Sequence, residues 1–152
     1  MGNQAQWVGA FLVAFFCIEP ASAAEPERAE RQAIELTSTE RDYLLSEMHA
    51  NLTAFESLLG ALAREDGRTA EQAAVTRGTV GFRGRDSIRP TTLAAKLPPA
   101  FKAMSAALRE SFDQLAAGIV ARETTAQSLE RMSHLTAICN SCHASFHFTT
   151  SP

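Results

Sequence analysis

Cysteine is scarce in this chain of 152 residues: only Cys17, Cys139 and Cys142 occur. That is too few for a disulfide-stapled framework. Runs of one charge are also missing. The formal net charge is −3, and no stretch of five basic residues occurs, so nucleic acid has no electrostatic footprint here. No apolar stretch reaches the roughly 20 residues that a bilayer-spanning helix needs. No Ser-His-Asp group, paired carboxylates or nucleotide-binding glycine loop is visible, so the chain reads as a non-enzyme. Nothing in it alternates in the manner of a strand.

The longest apolar run, Trp7 to Ile18, is followed by Glu19-Pro20 and the small residues Ala21-Ser22-Ala23-Ala24. A short apolar segment ahead of a small-residue site is the pattern of a cleaved secretory signal, although Met1 to Gln6 carries no Lys or Arg. Residues 1–23 are therefore expected to be a signal peptide, with the mature protein periplasmic and not inserted in the membrane. Cleavage would discard Cys17 and leave the charge close to balance. Residues 24–36, charged and short of aromatics, read as a mobile lead-in to a folded domain at 37–148.

That domain reads as four helices. Thr37-Ser38-Thr39-Glu40 has the capping-box spacing. Beyond it Leu45, Met48, Leu52, Phe55, Leu59 and Leu62 recur in alternating steps of three and four, predicting a long amphipathic helix that ends near Gly67. A shorter helix is expected over Thr69 to Arg77. From Gly78 to Pro98, glycines and Pro90 punctuate a loop. Its arginines, Arg77, Arg83, Arg85 and Arg89, read as solvated charge, or one or two of them as partners for the carboxylates of a bound cofactor or for another protein's acidic patch. Pro98-Pro99 opens a third helix carrying Phe101, Met104, Leu108, Leu115 and Ile119, its last turn weakened by Gly118. A fourth begins near Thr124-Thr125 and carries Leu129, Met132, Leu135 and Ile138.

On that last helix stands Cys139-Asn140-Ser141-Cys142-His143. Two thiols three apart, followed at once by an imidazole, is the spacing that attaches c-type haem. On a helix the three side chains share one face, so all can address one flat macrocycle. The competing readings are weaker. A thioredoxin-like dithiol needs a preceding strand, and zinc would need two further ligands, for which His134, His143 and His147 are the nearest in sequence. On the first helix Met48 lies on the apolar seam, which is expected to face the interior of the bundle. Thioether sulfur is a known haem ligand, and plain core packing is the other reading of Met48. His49 is about 100° round the helix, off the seam and expected at the surface. Met104 and Met132 read as core, and His134 as structural.

In helix count, in the motif's place on the last helix and in Phe146 three residues after His143, the chain resembles the four-helix-bundle (class II) c-type cytochromes, which include cytochrome c′. The resemblance covers Thr37 to Phe148. His147 stands where that family usually has Arg or Lys. The resemblance implies an all-α antiparallel four-helix bundle, with one haem c attached to the last helix and its iron held by His143. It implies Met48 as the distal ligand in the low-spin manner, or an open sixth site in the manner of cytochrome c′. The expected function is single-electron transfer between periplasmic proteins. The alternatives are a five-coordinate binder of nitric oxide or other small gases, and a non-redox interaction module stabilised by haem. Bundles of this kind often pair through their first helices, which makes a homodimer an expectation too.

Overall fold

The protein is described by a computed structural model over residues 30–150. The expected signal peptide lies outside the described residues, as do residues 24–29 of the lead-in. The chain is mostly helical. Strand β1 (Gln32–Leu36) is followed by helices α1 (Ser38–Ala63), α2 (Gly67–Arg77), α3 (Thr79–Gly84), α4 (Leu93–Lys96), α5 (Pro99–Val120) and α6 (Thr125–Ser145), then by strand β2 (Phe146–Thr150). A 3-10 turn at Asp86–Ile88 lies between α3 and α4.

The helix starts follow local chemistry. Thr37 caps α1 and Glu40 reaches back to its backbone, its Oε2 accepting from Thr37 N at 2.8 Å. Thr124 and Gln127 form the same reciprocal box on α6, and a proline occupies the first turn of α5. Helix α1 stops at Ala63 because Glu65 turns left-handed, with φ 56°, and Asp66 caps α2 by accepting from Thr69 N at 3.1 Å. The expected weak turn at Gly118 is not seen. Helix α5 runs on to Val120, and Gly118 is needed for close approach: a Cβ there would collide with the Glu123–Arg131 ion pair.

Two expectations are corrected. The end of the lead-in is ordered, because residues 32–36 pair in parallel with residues 146–150, Gln32 opposite Phe146 and Leu36 opposite Thr150. Ile34 and Leu36 point into the protein on alternate positions, which is what drives so short a segment into a strand. The 78–97 segment is likewise not an open loop. It folds into short helices held by two carboxylates of α1.

The first carboxylate is Glu40, almost wholly buried. Lys96 Nζ lies 2.6 Å from its Oε2, and Thr92 donates to Oε1 at 2.6 Å. The second is Glu47, which meets Arg77 at 2.8 Å and Arg85 at 3.2 Å, while Arg77 Nε donates to Asn51 at 2.6 Å. Two of the four arginines read as solvated charge are thus internal ion partners.

Helix α1 packs extensively on α2, α2 on α5 and α5 on α6, whereas α1 and α6 touch sparsely. Two apolar clusters result. One gathers Leu58, Leu62, Phe112, Leu115, Met132 and Leu135. The other gathers Ile34, Leu36, Leu44, Leu93, Phe101 and Phe146, with Phe101 edge-on to Phe146 at 5.5 Å. The leucine seam of α1 is not its most buried face. Leu44, Leu58 and Leu62 are buried while Leu45, Leu52 and Leu59 are exposed. At about 100° per residue, Leu45 and Leu52 lie roughly 80–100° round the helix from Leu44 and Leu62. Alanines 54 and 61 sit on the buried side, where small residues let α2 approach closely.

Hydrogen bonds from Lys96, Thr92 and Thr37 hold the Glu40 carboxyl down at about 2, from an ordinary 4.5. A carboxyl depressed in the folded state stabilises fully above its unfolded pKa, and that contribution is lost as pH falls toward the folded value. Thermal melts followed by circular dichroism should therefore show the wild type losing stability steeply between about pH 4.5 and 2. Glu40→Gln should melt lower at pH 7 and show a flatter dependence across that window. Parallel curves for the two proteins would disprove this role for Glu40.

Candidate cofactor cavity

Cys139, Cys142 and His143 stand on the last two turns of α6, as the spacing predicts. Leu135 faces the first apolar cluster, and from Ile138 onward the same face of α6 turns toward the gap beside α1. That gap is an open-sided apolar cavity of about 220 Å³. Met48, Leu52 and Phe55 of α1 form one wall, Phe101, Met104 and Leu108 of α5 another, and Ile138, Cys139, Cys142 and His143 of α6 the third. It lies between the two clusters: Phe55 and Leu108 pack against the first, and Met104 and Cys142 against the second. The sparse contact of α1 with α6 is the structural cause of the cavity.

The four residues singled out by sequence are thus brought to one space. Both thiols are free and half-buried. Burial raises the Cys139 pKa, and burial followed by the neighbouring Cys139 raises that of Cys142. Met48 is half-buried on the cavity wall; His49 is exposed on the far side and opens onto a separate surface groove. Of the residues read as core, Met132 is buried in the first cluster, while Met104 is half-buried and lines the cavity. His134 is exposed. Among the described residues no three His, Cys, Asp or Glu side chains converge as a metal site.

Two further spaces adjoin. One of about 280 Å³ meets the cavity at Met48, Cys142 and His143 and is lined beyond them by Arg31, Phe146, His147 and Phe148. Here the backbone oxygen of His143 accepts from Arg31 Nη1 at 3.4 Å, which ties the residue just before β1 to the motif. His147 Nδ1 is buried without a hydrogen-bond partner among the described residues. A larger chamber of about 370 Å³ shares Leu44, Glu47, Asn51, Phe101, Ser105 and Leu108 with the cavity. Sequence reasoning missed this chamber and its α5 side chains, Lys102, Ser105 and Arg109. The signal was present as a polar row, Lys102, Ser105 and Arg109, that repeats the steps of three and four one position beside the apolar stripe of α5.

Comparison of the chain with protein-family models, with curated proteins and with solved structures found no match. The assignment of the cavity therefore stands on its own donor set. Two free thiols one helical turn apart, an imidazole beside them and a thioether on the facing wall, all around an apolar slot, fit covalently held haem. His147, with its orphaned ring nitrogen, lines the adjoining space and not the cavity itself.

Burial of the thiols has a direct consequence for protein made without haem attachment. A raised pKa leaves both groups protonated at neutral pH, so iodoacetamide should alkylate them severalfold more slowly than glutathione, with a midpoint above the usual thiol value of about 8.5. Stopped-flow or mass-spectrometric rates across pH 7–10 measure this. A midpoint below that value would show the thiols to be activated.

Proposed function

We propose that the chain is an exported monohaem c-type cytochrome of the cytochrome c′-like, four-helix-bundle type, which carries single electrons between periplasmic partners. The observation that carries this reading is the convergence of Cys139, Cys142, His143 and Met48 on one apolar cavity between α1, α5 and α6. Haem bound there would supply a one-electron iron couple. The remaining work falls to the chain. Cys139 and Cys142 would hold the group through thioether bonds, His143 would provide the proximal nitrogen and Met48 the distal sulfur. Leu52, Phe55, Leu108 and Ile138 keep water from the slot, and the low dielectric they create tunes the couple.

In this reading α1, α2, α5 and α6 are the four antiparallel helices of the bundle, and its rigidity suits electron exchange, in which little should rearrange. Among the described residues no helix is long and apolar enough to cross a membrane. Export, as the expected signal peptide implies, brings the chain to the compartment where haem is attached. The exposed leucines of α1, Leu45, Leu52 and Leu59, form the stripe through which two copies would pair.

Absorption spectra of protein purified from cells with a working haem-attachment pathway test the proposal. The wild type should carry haem that survives a denaturing gel and give a low-spin spectrum. Cys139→Ser or Cys142→Ser should lower haem retention severalfold, whereas His143→Ala should keep the haem and change its spectrum. Met48→Ala should turn the spectrum high-spin, speed carbon monoxide binding at least tenfold and lower the reduction potential, while His49→Ala changes little. Stoichiometric zinc without haem would overturn the reading. A wild type that is already high-spin and binds carbon monoxide or nitric oxide at once would replace electron transfer by gas binding.

A further inference from the structure

The chamber beside the motif cavity is lined by Arg77, Arg85, Arg89, Lys102 and Arg109, with Glu47 as the carboxylate on its wall. Glu47 is already engaged by Arg77 and Arg85. Lys102 and Arg109 project from one face of α5, with Ser105 between them, and among the described residues neither has a carboxylate within ion-pair distance.

Arg109 is not a loosely held surface charge. It is half-buried, its guanidinium lies 4.1 Å above the Phe82 ring, and Nη1 donates to Ser105 Oγ at 2.8 Å. These two contacts fix the planar group while leaving other donors of its fork unused. Burial first, then the positive charge of Arg89, press its pKa down. The surroundings therefore disfavour this cation as it stands, and an anion in the chamber would relieve the cost. Leu44, Leu93, Leu97 and Phe101 give the wall an apolar part beside the polar Tyr43, Asn51 and Ser105, which suits an anion carried on an apolar body better than a small, strongly hydrated ion.

We propose that this chamber is a carboxylate-binding site, in which Arg109 and Lys102 hold a carboxylate borne on an apolar body. Two sources share that chemistry: a free organic acid, or the propionates of haem reaching across the lining that the two cavities share. The second source rests on the haem reading above; the first does not.

Benzoate is the probe for the free acid, titrated by calorimetry into the wild type, Arg109→Gln, Lys102→Gln and the control Arg68→Gln, which is exposed on α2. On haem-bearing protein the pH dependence of the reduction potential is measured for the same four. Stoichiometric benzoate binding, weakened about tenfold or more by either chamber variant and unchanged in Arg68→Gln, supports a free-acid site. No benzoate binding, with a carboxyl ionisation in the potential that moves to higher pH in Arg109→Gln or Lys102→Gln, supports propionate holding. The direction follows from removing a cation that favours the ionised carboxyl. Failure of both readouts to respond to either variant overturns the proposal. Protein that purifies without haem refutes the haem reading instead, and the benzoate titration then decides this site by itself. Lys102 is exposed, so its variant serves even where Arg109→Gln does not fold.

Discussion

Glu47 is the point on which the architecture turns. Its carboxylate receives Arg77 from the end of α2 and Arg85 from just beyond α3, and Arg77 also reaches the Glu47 backbone oxygen and Asn51. Arg77 is 8% exposed and Glu47 18%. Removing Glu47 would leave the enclosed Arg77 without its carboxylate, at a cost on the order of 3–5 kcal/mol. The cluster binds α1, α2 and the connecting segment into one unit and sets the rotation of α1. Met48 is the next residue, so that rotation decides how the thioether is presented to the cavity.

The same rotation accounts for the division of the interior. Leu58 and Leu62 pack with α2 and Phe112 and Leu115 of α5, Leu44 packs at the other end with Ile34, Leu36, Leu93 and Phe101, and α1 does not close against α6, so two apolar clusters form in place of one. An apolar space bounded by rigid helices, with its reactive side chains on two facing walls, preorganises whatever it holds. The strand pair seals the end of this arrangement. Through Phe146 and Phe148 against Phe101, and Arg31 on the His143 carbonyl, it anchors the final turns of α6.

Charge is partitioned with comparable economy. Glu40 pairs with Lys96 and Glu47 with both Arg77 and Arg85 within the fold, while Arg109 and Lys102 line a chamber in a protein whose formal net charge is negative. Where that chamber is apolar, a lower dielectric strengthens the field of these cations.

Features encoded within a few residues were legible from the sequence alone. The Thr37–Glu40 box, the proline start of α5 and the placement of Cys139, Cys142 and His143 on the last turns of α6 depend on neighbours no more than a turn away. The expectation that Met48 faces these residues came from the family resemblance, with which its place on the apolar seam agreed; spacing alone did not give it. Tertiary structure alone decided the rest. Leucine periodicity marked a stripe on α1 but could not say that alanines 54 and 61 would draw its neighbouring face onto α2. Five residues before α1 became a strand only because their partners lie at the opposite end of the chain. Arginines that looked solvated found Glu47 through a connection whose path no local pattern encodes, since ion pairs and strand pairs between distant segments exist only once the helices have packed.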